Sequence, residues 1–393
     1  MIKHMYVDNF KALNNFKIVL SEFSVLIGNN SSGKSTILQA MDFLKCCCTS
    51  TVTEYLSERS ITISDICSQL SNKRTITFNV TFEFDGKEIL WELSFSVEKD
   101  KDKIELRTEK ISSDSEILLH YFGKNSYRMN KINKLESKKE TIMDGEYKCS
   151  IISFIKEYDI ERFPELVKIK KYFMQSEVLD LLSPKEMRKN SRGDTTTLGQ
   201  SGERLPSYIK GLSNNEKEEL AKLLKNVISR ISGVKAIIKG RPGWVHLEVE
   251  ETFGSKNIPV SSSNVSDGVL RLIALYSLKF IKKSNGMVLL DEIEDGINSD
   301  NIEMVITLLK QICHDNNLQI IITTHSMTLL DYIEKQDIIY ITRSTKGNVI
   351  SKRVFEIDEM NNKLEYLYPG EAILSTTNQE LTEMIIKDIS EED

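Results

Sequence analysis

Apolar residues follow three rhythms along this chain. Phe23-Ser-Val-Leu-Ile27 is almost wholly apolar and closes on Gly28, as expected of a strand buried on both faces. Residues 16–20 predict another strand before it. From 34 to about 47 the period becomes helical, with Ile37, Leu38, Met41 and Leu44 on one face. Between 74 and 97 two alternating runs, TITFNVTFEF and ILWELSFSV, flank Asp85-Gly86-Lys87. Asp-Gly between alternating runs predicts a hairpin. We expect an antiparallel subdomain here, continuing through Leu106 and Leu118-Leu119.

Residues 124–148 are polar and Lys-rich without a period, which fits a solvated insertion or a contact surface for nucleic acid or a partner. From 150 to 230 the spacing is mostly helical, with Leu220, Leu223, Leu224 and Ile228 as one stripe. Strands resume at 234–239 and 244–250. The last third alternates: helix from Gly268, strand Met287–Leu290, helix from about Asn301, strand 319–323, helix from Ser326, strand 337–341. Such alternation predicts an α/β fold with a parallel sheet and right-handed crossovers. The expected division is a first lobe at 1–125, a variable and helical insertion at 126–232, and a second lobe at 233–393.

The length of 393 residues allows two or three domain-sized units. Apolar and charged fractions, 40% and 28%, are ordinary for a globular chain. A net charge of −6 excludes a uniformly basic nucleic-acid binder but leaves room for a local basic groove. The six cysteines, Cys46, Cys47, Cys48, Cys67, Cys149 and Cys313, lack metal-ligand spacing, and three adjacent ones cannot build a disulfide framework. Reduced thiols and a cytoplasmic setting follow as the expectation. No leader-like apolar core opens the chain, and no apolar run reaches the ~18 residues of a membrane span. Five scattered histidines without H-E-x-x-H argue against a zinc hydrolase.

The chemistry is concentrated in four places. Gly28-Asn-Asn-Ser-Ser-Gly33-Lys34-Ser35 fits G-x-x-x-x-G-K-[ST], with an apolar strand before it and a helix after. Its glycines let backbone N–H groups turn towards phosphate oxygens, and the helix start adds its dipole. Lys34 would reach the outer phosphates and Ser35 would ligate Mg2+. Asp291 and Glu292 end an apolar strand, where open α/β sheets bind ligands. Asp291 would hold Mg2+, and Glu292 would orient the attacking water, with Glu294 and Asp295 close by. His325 follows another buried strand and could contact the terminal phosphate or that water. Ser266, Asp267 and Gly268 open an apolar helix. They could simply cap it, or offer an anion-binding helix start to a second subunit's nucleotide.

These pieces, in this order, resemble the ABC-type ATPase head. Residues 28–35 look like its Walker A and 289–292 like its Walker B. Ser266-Asp267-Gly268 looks like the shortened signature of the RecF/SMC-like branch, and Thr324-His325-Ser326 like its switch histidine. Within that branch the chain resembles AAA-type ATPases of the OLD (overcoming lysogenization defect) group and the stand-alone ATPase subunits of phage-defence systems such as Septu and PARIS. Asn9-Phe10-Lys11 and Gly199-Gln-Ser-Gly202-Glu-Arg-Leu205-Pro206 also match.

The resemblance implies an α/β head with mixed and parallel sheets, an antiparallel β subdomain and a helical insertion. ATP would contact Gly28, Asn29, Asn30, Ser31, Ser32, Gly33, Lys34, Ser35 and Thr36, with Lys11 nearby and a Q-loop glutamine, Gln175 or its rival Gln69. Two heads, or a higher homo-oligomer, would sandwich ATP and Mg2+. Ile293 replaces the usual Pro after the Walker B Glu, and the D-loop reads Glu294-Asp-Gly-Ile-Asn298.

The expected role is a sensor or scaffold that controls a separately encoded effector, a nuclease or a toxin, with no nuclease domain in this chain. The alternative is a RecF-like DNA repair ATPase using the Lys-rich 131–139 stretch and Lys222, Lys225, Arg230, Lys235, Lys239 and Arg241. A third reading is a nucleotide-gated assembly protein with negligible turnover. The signature is not of the transporter type, and no N-K-x-D suggests guanine specificity.

Overall fold

The structure, a computed structural model, describes residues 1–114, 116–122, 126–129, 139–141, 147–180, 182–238 and 243–392. Its centre is a six-stranded sheet in the order Glu177–Leu179, Met287–Leu290, Gln319–Thr324, Phe23–Ile27, Ile338–Arg343 and Val349–Arg353. The first five strands are parallel; the last turns back antiparallel. Successive side chains on this sheet enter different cores. Val25, Ile27, Val288, Leu290, Ile320 and Ile322 face one, while Leu26, Leu289, Ile321 and Ile341 face the other. That is why these strands read as continuous apolar runs rather than as alternating ones.

The second core lies between this sheet and an antiparallel sheet with eight strands among the described residues. The helix Lys34–Thr49 is sandwiched there and buries Ile37, Leu38, Ala40, Met41, Phe43, Leu44, Cys47 and Cys48. A helix covered on both sides is apolar nearly all round. Phe43 meets Phe10, Tyr55, Phe78 and Phe95 with ring centroids 5.3–5.7 Å apart. Each fully buried Phe contributes roughly 2–3 kcal/mol, so this cluster holds the helix against the sheet. The expected hairpin joins Thr75–Phe84 to Lys87–Glu98, with Asp85 and Gly86 both at positive φ, 52° and 75°.

On the other face, the helices Asp267–Ser277 and Ile302–Asp315 share a core with a small sheet. That sheet is built around Trp244–Phe253, which pairs with Ser191–Arg192, Ile231–Ile238 and Lys256–Ser261. All six cysteines are free. Among the described residues no helix is long and apolar enough to cross a membrane.

Several expectations change. The stretch 150–230, read as helical, does carry the helices Pro164–Met174 and Asn214–Val227, but it also supplies the edge strand Glu177–Leu179 to the central sheet. The helix after Ser326 is only Met327–Leu330. Glu356 lies in a 3-10 turn and Asp358 starts a helix, so the segment read as strand-like is not a strand. Of the Lys-rich 124–148 region, Ser126–Met129 and Lys139–Thr141 extend the antiparallel sheet, and most of the rest lies outside the described residues.

One buried acid sets a pH dependence. The Glu109 carboxylate accepts from Trp91 Nε1 (2.8 Å), Ser150 Oγ (2.5 Å) and Ile151 N (2.6 Å). Burial outweighs these donors and pushes its pKa from the ordinary 4.5 to about 7. The folded chain then binds the extra proton between these two values, so stability falls as pH rises through that window. Urea titrations from pH 4 to 8 should show a loss of roughly 3 kcal/mol attributable to this group. Glu109→Gln should lack that pH slope while being less stable throughout, because its amide turns a donor towards the Ile151 N–H.

Candidate functional site

Four parallel strands end almost level. Leu290 pairs with Ile322, Ile322 with Val25, and Tyr340 with Ile27. The segments that follow therefore meet at one edge of the sheet, where ligands bind in such folds. From Ile27 the chain enters the Gly28 loop at φ 152°. A Cβ on Gly28 would lie 2.0 Å from the carbonyl oxygen of Ile341, so a side chain has no room there. Gly33, at φ 116°, is pressed against Val349 in the same way, its Cβ position 2.8 Å from a Val349 methyl. The helix starts immediately at Lys34.

The Lys34 ammonium folds back onto its own loop, donating to the carbonyls of Gly28 (2.8 Å) and Asn29 (3.1 Å). Burial pulls its pKa below the usual lysine range, against the upward pull of Glu292, Asp291 and Glu294. An open pocket of about 290 Å3 lies above the loop, lined by residues 30–36 with Glu292, His325 and Arg343. The Ser32 hydroxyl is buried without a hydrogen-bond partner. An orphan hydroxyl, a desolvated ammonium and a helix start facing one pocket fit a polyphosphate.

The acids converge from the neighbouring strands. Ser35 Oγ and Asp291 Oδ1 stand 3.2 Å apart, an all-oxygen donor pair suited to Mg2+. Thr323 orients this corner: its hydroxyl donates to Asp291 Oδ1 (2.5 Å) and accepts from the Glu292 amide (2.9 Å). Glu292 itself adopts a left-handed backbone, φ 49°, uncommon for a non-glycine residue. Its Oε1 lies 3.0 Å from His325 Nε2, while His325 Nδ1 faces Lys34 Nζ at 3.4 Å. A carboxylate on one nitrogen and an ammonium on the other assign the proton to Nε2. Glu294 receives the backbone amides of His325 and Ser326 and so fixes the histidine turn.

The 266–268 segment stands apart from this pocket; none of its residues lines it. Ser266 stands at the N-cap position of the helix Asp267–Ser277 without a side-chain capping hydrogen bond, and Ser266 and Asp267 are exposed. Arg188 donates to Asp267 Oδ1 (2.6 Å) and to the Val265 carbonyl (2.7 Å). Gly268 lies against the loop after the Glu292 turn: its Cβ position is 2.3 Å from the Gly296 carbonyl oxygen. Arg271 ties the same helix to that loop through Asp295 at 2.6 Å.

Two expected neighbours sit elsewhere. Gln175 caps the helix Pro164–Met174 and packs on Gly286, at the amino end of the central sheet. The strand after it runs parallel to Met287–Leu290, so a residue preceding that strand cannot reach the carboxyl end, where the loop lies. Gln69 is exposed and does not line the pocket either. Lys11, at φ 49°, donates to Gln39 Oε1 (2.8 Å) on the loop's helix without lining the pocket.

Comparison with known proteins agrees with this geometry. The family described as "AAA domain, putative AbiEii toxin, Type IV TA system" matches residues 23–331. The chain belongs to this family. It is an ABC-type AAA ATPase, and its fold is similar to that of SMC heads. One is an SMC head bound to the C-winged helix domain of ScpA, with 15% identity, 89% of this chain and 96% of that chain covered, and a TM-score of 0.55. Another is an Smc head with an extended coiled coil, bound to the C-terminal domain of ScpA derived from Pyrococcus furiosus, with 13% identity, 93% and 99% covered, and a TM-score of 0.52. At such identities the likeness concerns the fold alone. No curated protein matches the sequence.

Thr323 and Arg343 are residues around this pocket that pattern reading missed, whereas Glu294 was expected close by. Asp180 follows the edge strand and is held by Arg59 (3.2 Å), while burial raises its pKa. The available signal was polar residues at the carboxyl ends of apolar strands, the same signal that marked Asp291. Thr323→Val keeps the side-chain shape but leaves the Glu292 amide without its acceptor and Asp291 without its donor. The Mg2+ concentration for half-maximal nucleotide binding should rise roughly 10- to 100-fold, as a calorimetric Mg2+ titration would show.

Proposed function

We propose that this chain binds and hydrolyses ATP with Mg2+ as a sensor or scaffold subunit of an anti-phage defence module. It would work in the cytoplasm as a homodimer of heads or a higher homo-oligomer, controlling a separately encoded effector, a nuclease or a toxin. The observation that carries this reading is the split site. The cradle is built around Lys34, Glu292 and His325, while the 266–268 helix start, with Ser266 and Asp267 exposed, does not line it. A second copy would bring the two halves together. The family description, which names a toxin of a toxin–antitoxin system, supports a place in a defence module.

Lys34 would exchange the Gly28 and Asn29 carbonyls for phosphate oxygens. Ser35 and Asp291 would hold Mg2+, which when bound neutralises charge on the outer phosphates. Glu292 would orient the attacking water, with His325 holding that carboxylate in place. The helix start at 266–268 would cover the partner's terminal phosphate.

The DNA-clamping alternative has exposed Lys222 and Lys225 in its favour. Arg230 and Lys235, however, pair with Glu251 and Glu250, and Lys239 and Arg241 lie outside the described residues. ATP-dependent duplex binding that weakens steeply with salt would support that alternative instead.

Glu292→Gln should cut turnover by roughly 10²- to 10⁴-fold and accumulate an ATP-bound pair, read by size-exclusion chromatography with light scattering. A chain that stays monomeric with ATP in both forms would end the paired reading. Co-expression with the product of an adjacent gene tests the effector: ATP-dependent co-purification is expected.

A further inference from the structure

The pocket holds one cation that the loop motif does not account for. Arg343 ends the strand Ile338–Arg343, next to Phe23–Ile27 on the side opposite the strand that leads to His325. Its Nε donates to the Ser31 carbonyl (2.8 Å) and its Nη1 to the Gly347 carbonyl (3.0 Å). Both acceptors are uncharged. A guanidinium carries five N–H donors, so three remain free of these two bonds. Lys34 lies among Glu292, Asp291 and Glu294, and His325 is paired with Glu292. Among the described residues Arg343, which is exposed, makes no ion pair, so its charge at the pocket wall has no counter-ion from the protein.

We propose that Arg343 is a further nucleotide-contacting residue that recognises the terminal phosphate of a bound triphosphate. The inference rests on the reading of this pocket as an ATP site. The helix start and Ser35 form its floor and would take the inner phosphates. Glu292 and His325 line it from the strands on one side of the loop, and Arg343 lines it from the strand on the other. The outermost phosphate would lie between them, within reach of the free donors of a fork suited to phosphate oxygens. The bond to Ser31 also steadies that residue's left-handed backbone, φ 63°, so the same side chain would brace the loop and read its cargo.

A brace alone and a phosphate contact predict different outcomes. Bracing acts on the whole loop and affects every nucleotide alike, whereas contact with the terminal phosphate affects the triphosphate selectively. Calorimetry on the full chain with Mg2+ would compare the non-hydrolysable triphosphate AMPPNP with ADP. Arg343→Ala should weaken AMPPNP binding roughly 10- to 100-fold and ADP binding less than about threefold. Arg343→Lys keeps the charge but not the planar fork, and should retain part of the preference for the triphosphate. Equal losses for both nucleotides, no loss at all, or a lysine variant no better than alanine would overturn the proposal. If the alanine variant fails to fold, the lysine variant decides: loss of triphosphate preference in it overturns the proposal. Lys34→Ala should weaken both nucleotides, and a wild-type chain that binds neither would sink the ATP-site reading itself rather than the role of Arg343.

Discussion

The level ending of neighbouring parallel strands is the constraint on which the rest of this molecule depends. Asp291 and Thr323 can share a hydrogen bond because Leu290 and Ile322 are paired, and Gly28 can pass beneath Ile341 because Tyr340 is level with Ile27. A slip of one residue in any of these pairings would turn each side chain on that strand to the opposite core. The two apolar cores, one on each face, therefore protect the site's geometry without touching its chemistry. Side chains that pack the sheet and side chains that line the pocket come from the same strands, the latter from the last residues of a strand or from the turn that follows it.

Local strain is concentrated where the chemistry is. Ser31, Glu292 and the loop glycines take backbone conformations that L side chains rarely adopt. Such strain persists only where the surroundings over-determine it. Here the surroundings are the Thr323 hydroxyl on the Glu292 amide, the Arg343 fork on the Ser31 carbonyl and the packing of Gly33 on Val349. The Glu294 carboxylate, receiving two successive amides, does the same for the histidine turn.

What could be read from the residues was whatever local order encodes. The 28–35 loop, the Asp291-Glu292 strand end and the His325 turn each announce themselves within eight residues, and the central parallel sheet followed from the alternation of elements in the last third. The strand Glu177–Leu179 was hidden because it is three residues long, set among helical spacing, and exists only through its pairing with 288–290. Missing it misplaced Gln175, since whether a residue lies near the loop depends on which end of that strand it adjoins. Thr323 and Arg343 were invisible for a related reason: their roles come from neighbours far apart in sequence, Asp291 in one case and Ser31 in the other. The C-terminal helices, with their short apolar stretches, carried no comparable signal.

The near-contact of Gly268 with Gly296 ties the 266–268 helix start, the surface that the proposed pairing would present to a second copy, to the loop behind the acids. Backbone resting on backbone has little slack to absorb a displacement. In a pair of such subunits, a shift at one catalytic centre would travel through that rigid seam to the other, so the two would keep time rather than fire independently. A device of that kind reports whether both seats are filled, and an assembly that must stay silent until one condition is met can use it as a logical AND.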